Sequence, residues 1–119
     1  MRTVTKTISL PLAGEPHDFI LTKLDAFSGA YLLKLLSRGE TDNLQALLFS
    51  LSQEEMENLM RTCLRSVSVV LPAGPIRALD QGSWGVPELE HDGWTCVKLT
   101  LEVISWTLEG FFPAAGSPS

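Results

Sequence analysis

From Thr3 to Leu12 the chain alternates. Val4, Ile8, Leu10 and Leu12 fall on one face, and Thr3, Thr5, Thr7 and Ser9 on the other. A period of two with β-branched residues predicts a strand. Lys6 interrupts the apolar face, which suits an edge position, and Pro11, lacking an N–H, marks the strand's end or free edge. Ala13-Gly14-Glu15-Pro16 is a turn signal, and His17 to Leu24 reads as a second strand around Phe19, Ile20, Leu21 and Leu24. The two segments predict an antiparallel β-hairpin.

The period then changes to 3.6. Asp25 caps a helix carrying Gly29, Leu32, Leu33 and Leu36, which Ser37-Arg38-Gly39 ends with Gly39 just past the last turn. Asp42 and Gln45 resemble a capping box for a short helix edged by Leu44, Leu47, Leu48 and Leu51. The strongest local signal runs from Ser52 to about Val67. Ser52 and Glu55 form a capping box, Leu51 and Met56 occupy the staple positions, and Glu57 precedes Arg61 by four. Met56, Leu59, Met60, Cys63, Leu64 and Val67 make a continuous stripe. Core packing is the expected use of that stripe, and a Met-rich docking groove is the alternative.

Val67 to Leu71 is β-prone, Pro72-Ala73-Gly74-Pro75 forces a loop, and Ile76 to Leu79 reads as a further short strand. Asp80 to Pro87 reads as loop, with Trp84 between two glycines as either a lid on the core or a contact residue. Trp94 to Leu108 alternates like a strand through Val97, Leu99, Leu101 and Val103. It also repeats like a helix through Trp94, Val97, Leu101, Ile104 and Leu108. Its length exceeds a usual strand, so a helix is predicted, with Asp92 as its first cap and Gly110 as its last. The expected fold is therefore α+β: one small, mainly helical domain over residues 1–112, with three to four helices behind an N-terminal antiparallel hairpin. The Pro/Ala/Gly/Ser-rich residues 113–119 are expected to form a disordered tail.

Composition narrows the function. The 119 residues are 45% hydrophobic and 19% charged, too apolar for a disordered chain and short enough for a single domain. The formal charge of -5 falls entirely on the last third, where Asp80, Glu88, Glu90, Asp92, Glu102 and Glu109 face only Lys98. That distribution lacks the basic footprint of nucleic-acid binding. It reads either as a solvated rim or as a face that steers a basic partner. No apolar run approaches the roughly 18 residues of a membrane span, and Met1 to Lys6 has no apolar core of signal-peptide length. Cys63 and Cys96 form no CxxC pair and read as buried hydrophobes of a reducing compartment.

Chemistry-bearing motifs are missing. The chain has no phosphate-binding glycine loop, nucleophile elbow or HExxH. Its two histidines, His17 and His91, have no second ligand at metal spacing. No catalytic, cofactor or metal residue is assigned, and the chain is expected not to be an enzyme. The remaining resource is apolar surface: Leu32-Leu33 and Leu35-Leu36 cover more of a helix than one buried stripe needs, and a small domain buries only part of its surface. The candidate partner-binding residues are Leu32, Leu33, Leu36, Trp84, Trp106, Phe111 and Phe112, serving self-association or an apolar client.

In its order of pieces the chain resembles the small tail assembly chaperones of long-tailed bacteriophages and their prophage relatives. The resemblance runs through Lys6-Thr7-Ile8-Ser9-Leu10, then Phe19 to Ala26 leading into the Leu-rich helix of Ser28 to Leu36. It continues through Leu51-Ser52-Gln53-Glu54-Glu55 and ends on Leu101 to Trp106 and Gly110-Phe111-Phe112. The chain departs in its Pro- and Gly-rich loop Pro72 to Gly93, and in reading Ser105-Trp106-Thr107 where members commonly carry Asn. The resemblance implies a cytoplasmic assembly factor of the bacterial host that is absent from the finished particle. Such a factor is a homo-oligomer that binds the tape-measure protein, helps recruit the tail tube protein and often has a longer frameshifted form. Other readings are a head–tail joining or tail-completion component of the virion, a small metal-dependent enzyme using His17 or His91, and a host-cell adaptor.

Overall fold

A strand whose apolar side chains alternate must bury one face and pair its backbone. The computed structural model, which describes residues 4–36 and 44–111, shows how this chain does both. Strands β1 (Thr5–Leu12) and β2 (Glu15–Thr22) pair antiparallel from Thr5↔Thr22 to Leu12↔Glu15. Their connection is Ala13-Gly14, with φ of 55° and 81°. Positive φ at both residues is the two-residue hairpin turn whose twist matches the strands. The turn is thus shorter than Ala13 to Pro16, and β2 starts two residues earlier than His17. Pro11 and Pro16 face each other next to the turn, beyond the stretch where β2 meets its other neighbour, so neither breaks a shared ladder.

That neighbour comes from much later in the chain. β3 (Val67–Leu71) pairs with β2 through Phe19↔Val69, and β4 (Gly74–Arg77) pairs with β3, giving an antiparallel sheet of order β1-β2-β3-β4. One face carries Leu12, Phe19, Leu21, Val67 and Val69 into the core. The other presents Thr5, Thr7, Ser9, Asp18 and Arg77 to solvent. Lys6 points to the inner face at the exposed edge, as an edge strand tolerates.

The helices are α1 (Ala26–Leu36), α2 (Leu44–Ser50), α3 (Gln53–Leu64), the single turn α4 (Pro87–Glu90) and α5 (Gly93–Phe111); α5 lies against the apolar face of the sheet, and α1, α3 and α4 pack against α5. The broad α+β class is as expected, but the described residues hold five helical segments rather than three to four. The Asp80 to Pro87 region is also more ordered than a loop. β5 (Leu79–Asp80) and β6 (Ser83–Trp84) form a ribbon across Gln81-Gly82, again with φ positive at both residues, 53° and 83°. Pro75 sits inside edge strand β4, opposite Val70, so the Pro72 to Pro75 loop shrinks to a turn. The expected strand Ile76 to Leu79 is divided at Ala78 between β4 and β5. α3 stops at Leu64, because Val67 is already pairing with Leu21.

Trp94 to Leu108 is helix, as its length predicted, and it lies at the centre. Cys96, Val97, Leu99, Val103 and Ile104 are buried against the sheet and α3. Burial on several sides made the segment apolar at both periods. Its three buried threonines are all bonded. Thr95 donates to Asp92 Oδ2 (2.8 Å), Thr100 to the Cys96 carbonyl (2.8 Å), and Thr107 Oγ1 accepts from the Leu24 amide (3.1 Å). The helix passes through Gly110 to Phe111 instead of ending on a Gly110 cap. Among the described residues no helix is long and apolar enough to cross a membrane. The expected Gly39 cap, the Asp42 half of the second capping box and the tail at 113–119 lie outside the described residues.

Two stability measurements check this architecture. Ala13→Asn places a side chain that tolerates positive φ in the turn, and urea denaturation is expected to show a gain of about 0.5–1 kcal/mol. Thr107→Val keeps the shape but strands the Leu24 amide, and the same assay is expected to show a loss of about 1–2 kcal/mol.

Candidate functional site

The site grows from α3. Ser52 Oγ accepts from the Glu55 amide (3.1 Å), while the Ser52 amide donates back to Glu55 Oε1 (3.4 Å), so the capping box fixes where the helix begins. The start sets the faces. Leu59, Cys63 and Leu64 turn into the core, and the Glu57–Arg61 ion pair (3.0 Å) lies outside. Between them, Met56 and Met60 are only half-buried.

The facing wall is the β5–β6 ribbon with the start of α5. Gly85 lets the ribbon press against β4. Its amide donates to the Ala78 carbonyl (3.1 Å), and a Cβ there would collide with the Arg77 carbonyl oxygen. This close approach fixes the backbone beside Trp84. Pro87 opens α4 at a position where a missing N–H costs nothing, and Leu89 is buried beneath it. Asp92 then caps α5 by accepting from the Thr95 amide (3.1 Å), as its place before the helix predicted. Cys96, one turn on, donates its thiol to the Leu89 carbonyl (3.3 Å).

The two walls enclose an open groove of about 280 Å³. Met56, Met60, Leu64, Leu79, Trp84 and Cys96 form its apolar lining, and Gln53, Glu57, Arg61 and Glu90 its polar rim. Unbranched methionines beside an indole make a surface that can adapt to apolar side chains of different shapes. Neither the groove's Cys96 nor the nearby core Cys63 is an activated nucleophile. Burial pushes the Cys63 thiol up to about 12, and burial, then the Asp92 charge, pushes Cys96 up to about 11. Both thiols stay protonated at neutral pH. His17 Nδ1 lies 3.0 Å from the Glu15 carbonyl on the hairpin, and His91 follows α4. Among the described residues no three His, Cys, Asp or Glu side chains converge on a point that would hold a metal ion.

Of the candidate partner-binding residues, Trp84 lines this groove. Leu32 is fully buried and belongs to the core, which corrects its assignment to a docking surface. Leu33 is half-buried on α1. Trp106 is half-buried and engaged within the chain. Its Nε1–H donates to the Val4 carbonyl (3.2 Å), and the ammonium groups of Lys23 and Lys6 stand 4.4 and 5.5 Å from its ring centre. Leu36 and Phe111 lie in α1 and α5 with side chains outside the description, and Phe112 is outside the described residues. Among the described side chains of α1 the large apolar ones exposed are Phe27 (87%) and Tyr31 (44%), one turn apart on the side away from Leu32. Met56 and Met60 were legible as a stripe, but their share in a groove was the less favoured of its two readings.

The raised thiol value gives a pH prediction. Above about pH 9 an unfolded Cys63 loses its proton while the folded one keeps it, so the unfolded chain gains the advantage. Stability is expected to fall as pH rises from 9 towards 12, by up to about 1.4 kcal/mol per unit from this thiol. Denaturation curves at stepped pH check this, with Cys63→Ala showing the shallower decline. Comparisons with protein-family models, with curated proteins and with solved structures gave no significant match for the chain.

Proposed function

We propose that the chain is a non-enzymatic assembly factor, a tail assembly chaperone of a long-tailed phage or prophage. In this reading it holds an apolar, helical client in the α3 groove. The client is the tape-measure protein, which the chaperone keeps soluble while tail tube subunits are recruited. The groove carries the reading: methionine and tryptophan side chains flank an open apolar trough whose one thiol, Cys96, is bonded to the Leu89 carbonyl and held protonated, a surface suited to holding and not to reacting. The order of sequence pieces shared with such chaperones supports the choice of client. Work in the cytoplasm of the bacterial host, self-association and a longer frameshifted form belong to the same proposal. Phe27 and Tyr31, in place of Leu32, are then the α1 residues available for contact between copies.

Co-expression with the tape-measure protein of the same phage tests the proposal. The expected outcome is a soluble complex that survives purification. Trp84→Ala is expected to weaken it by about 2 kcal/mol, some thirtyfold in affinity, as for a buried aromatic anchor. A tape-measure protein that stays insoluble would overturn the proposal. So would the chain's presence at fixed stoichiometry in purified particles, which would make it a head–tail joining or tail-completion component.

A further inference from the structure

We infer that the α3 groove is built for an amphipathic helix with basic flanks, an inference that rests on the groove being the client site. The trough is open and holds about 280 Å³ against an apolar floor, which suits a few side chains projecting from one helical face. Met56, Met60 and Trp84 would receive those side chains.

Charge selects the flanks. The groove lies between two segments rich in carboxylates. On one side α3 opens with Glu54, Glu55 and Glu57, and on the other residues 87–93 bring Glu88, Glu90 and Asp92. Among lysines and arginines in these two segments there is Arg61 alone, and it is paired with Glu57. Acidic residues at a helix start offset its positive dipole end, which accounts for each cluster taken singly. Here the starts of α3 and α5 face the same trough, since Gln53 and Met56 line one wall and Gly93 and Cys96 the other. Of these carboxylates Glu57 and Glu90 line the trough; Glu57 is paired with Arg61, and Glu55 and Asp92 are bonded in the caps of their own helices, so the acidic excess of the rim comes from Glu90 with Glu54 and Glu88 exposed on the adjoining segments. A lysine- or arginine-flanked helix satisfies both floor and rims. A second copy of this chain carries the same acidic rims and a net charge of -5, so it is repelled from this position.

Titration calorimetry of the full chain with two synthetic helical peptides tests the inference. Both peptides share one leucine spacing, and their polar faces carry lysine in one and glutamate in the other. The lysine peptide is expected to bind, more weakly as salt rises, and the glutamate peptide not to bind. The surface double variant Glu88→Gln/Glu90→Gln is expected to lower the lysine peptide's affinity about fivefold at low salt. Trp84→Ala is expected to weaken binding about thirtyfold, which separates the groove from diffuse attraction to an acidic surface. Circular dichroism reports whether either variant remains folded, and the surface variant decides if Trp84→Ala does not. Equal binding of both peptides, or binding indifferent to salt and to the Glu88/Glu90 change, would overturn the inference. Failure of both peptides while the tape-measure protein is still captured would overturn it and leave the proposed function standing. Binding of the lysine peptide without capture of that protein would do the reverse. Concentration-dependent dimerisation abolished by Trp84→Ala would give the groove to a second copy and also overturn the inference.

Discussion

Helix α5 is secured at both ends by side chains bonded to the backbone, and the arrangement of the other elements follows from this. At its start the Asp92 carboxylate satisfies the Thr95 amide and hydroxyl. Near its end Thr107 takes the Leu24 amide, and Trp106 donates to the Val4 carbonyl. Between these points Leu99, Val103 and Ile104 fill the space between the sheet and α3 with no exposure to solvent. The apolar burial supplies most of the free energy, while the polar ties set the register in which it is realised. Were α5 rotated, Cys96 would leave the Leu89 carbonyl and the groove would lose part of a wall.

How legible each element was in the sequence depended on how local its cause is. The hairpin could be read because alternation and a turn signal sit within twenty residues of each other, and both survive as β1 and β2. The α3 start could be read because Ser52 and Glu55 act across one turn of their own helix. The β5–β6 ribbon could not. Its strands have two residues each, and its turn puts glutamine where asparagine is the usual signal for positive φ. What orders it is the distant approach of Gly85 to β4, which no local pattern announces.

The candidate site was read in part, for the same reason. Hydrophobic identity alone does not say which of several leucines faces inward. On α1 the four leucines drew attention, but Leu32 and Leu35 are buried and the aromatic pair Phe27 and Tyr31 is exposed. Trp106 has the composition of a contact residue but spends its indole N–H and its ring face within the chain. Trp84 ended in the groove because the ribbon turns it towards Met56 and Met60, a tertiary fact that local pattern left open.

The tie between Trp106 and the first strand also has a geometric result. Lys6 and Lys23 converge on the ring of a residue near the far end of α5, so the two extremities of the described chain meet at one pole of the molecule. The groove begins at Gly93, and Phe111 lies about 27 Å further along the helix axis at the usual rise per residue. The groove and the attachment of the first strand to Trp106 therefore lie towards opposite ends of one helix, so a side chain seated in the trough leaves that attachment undisturbed.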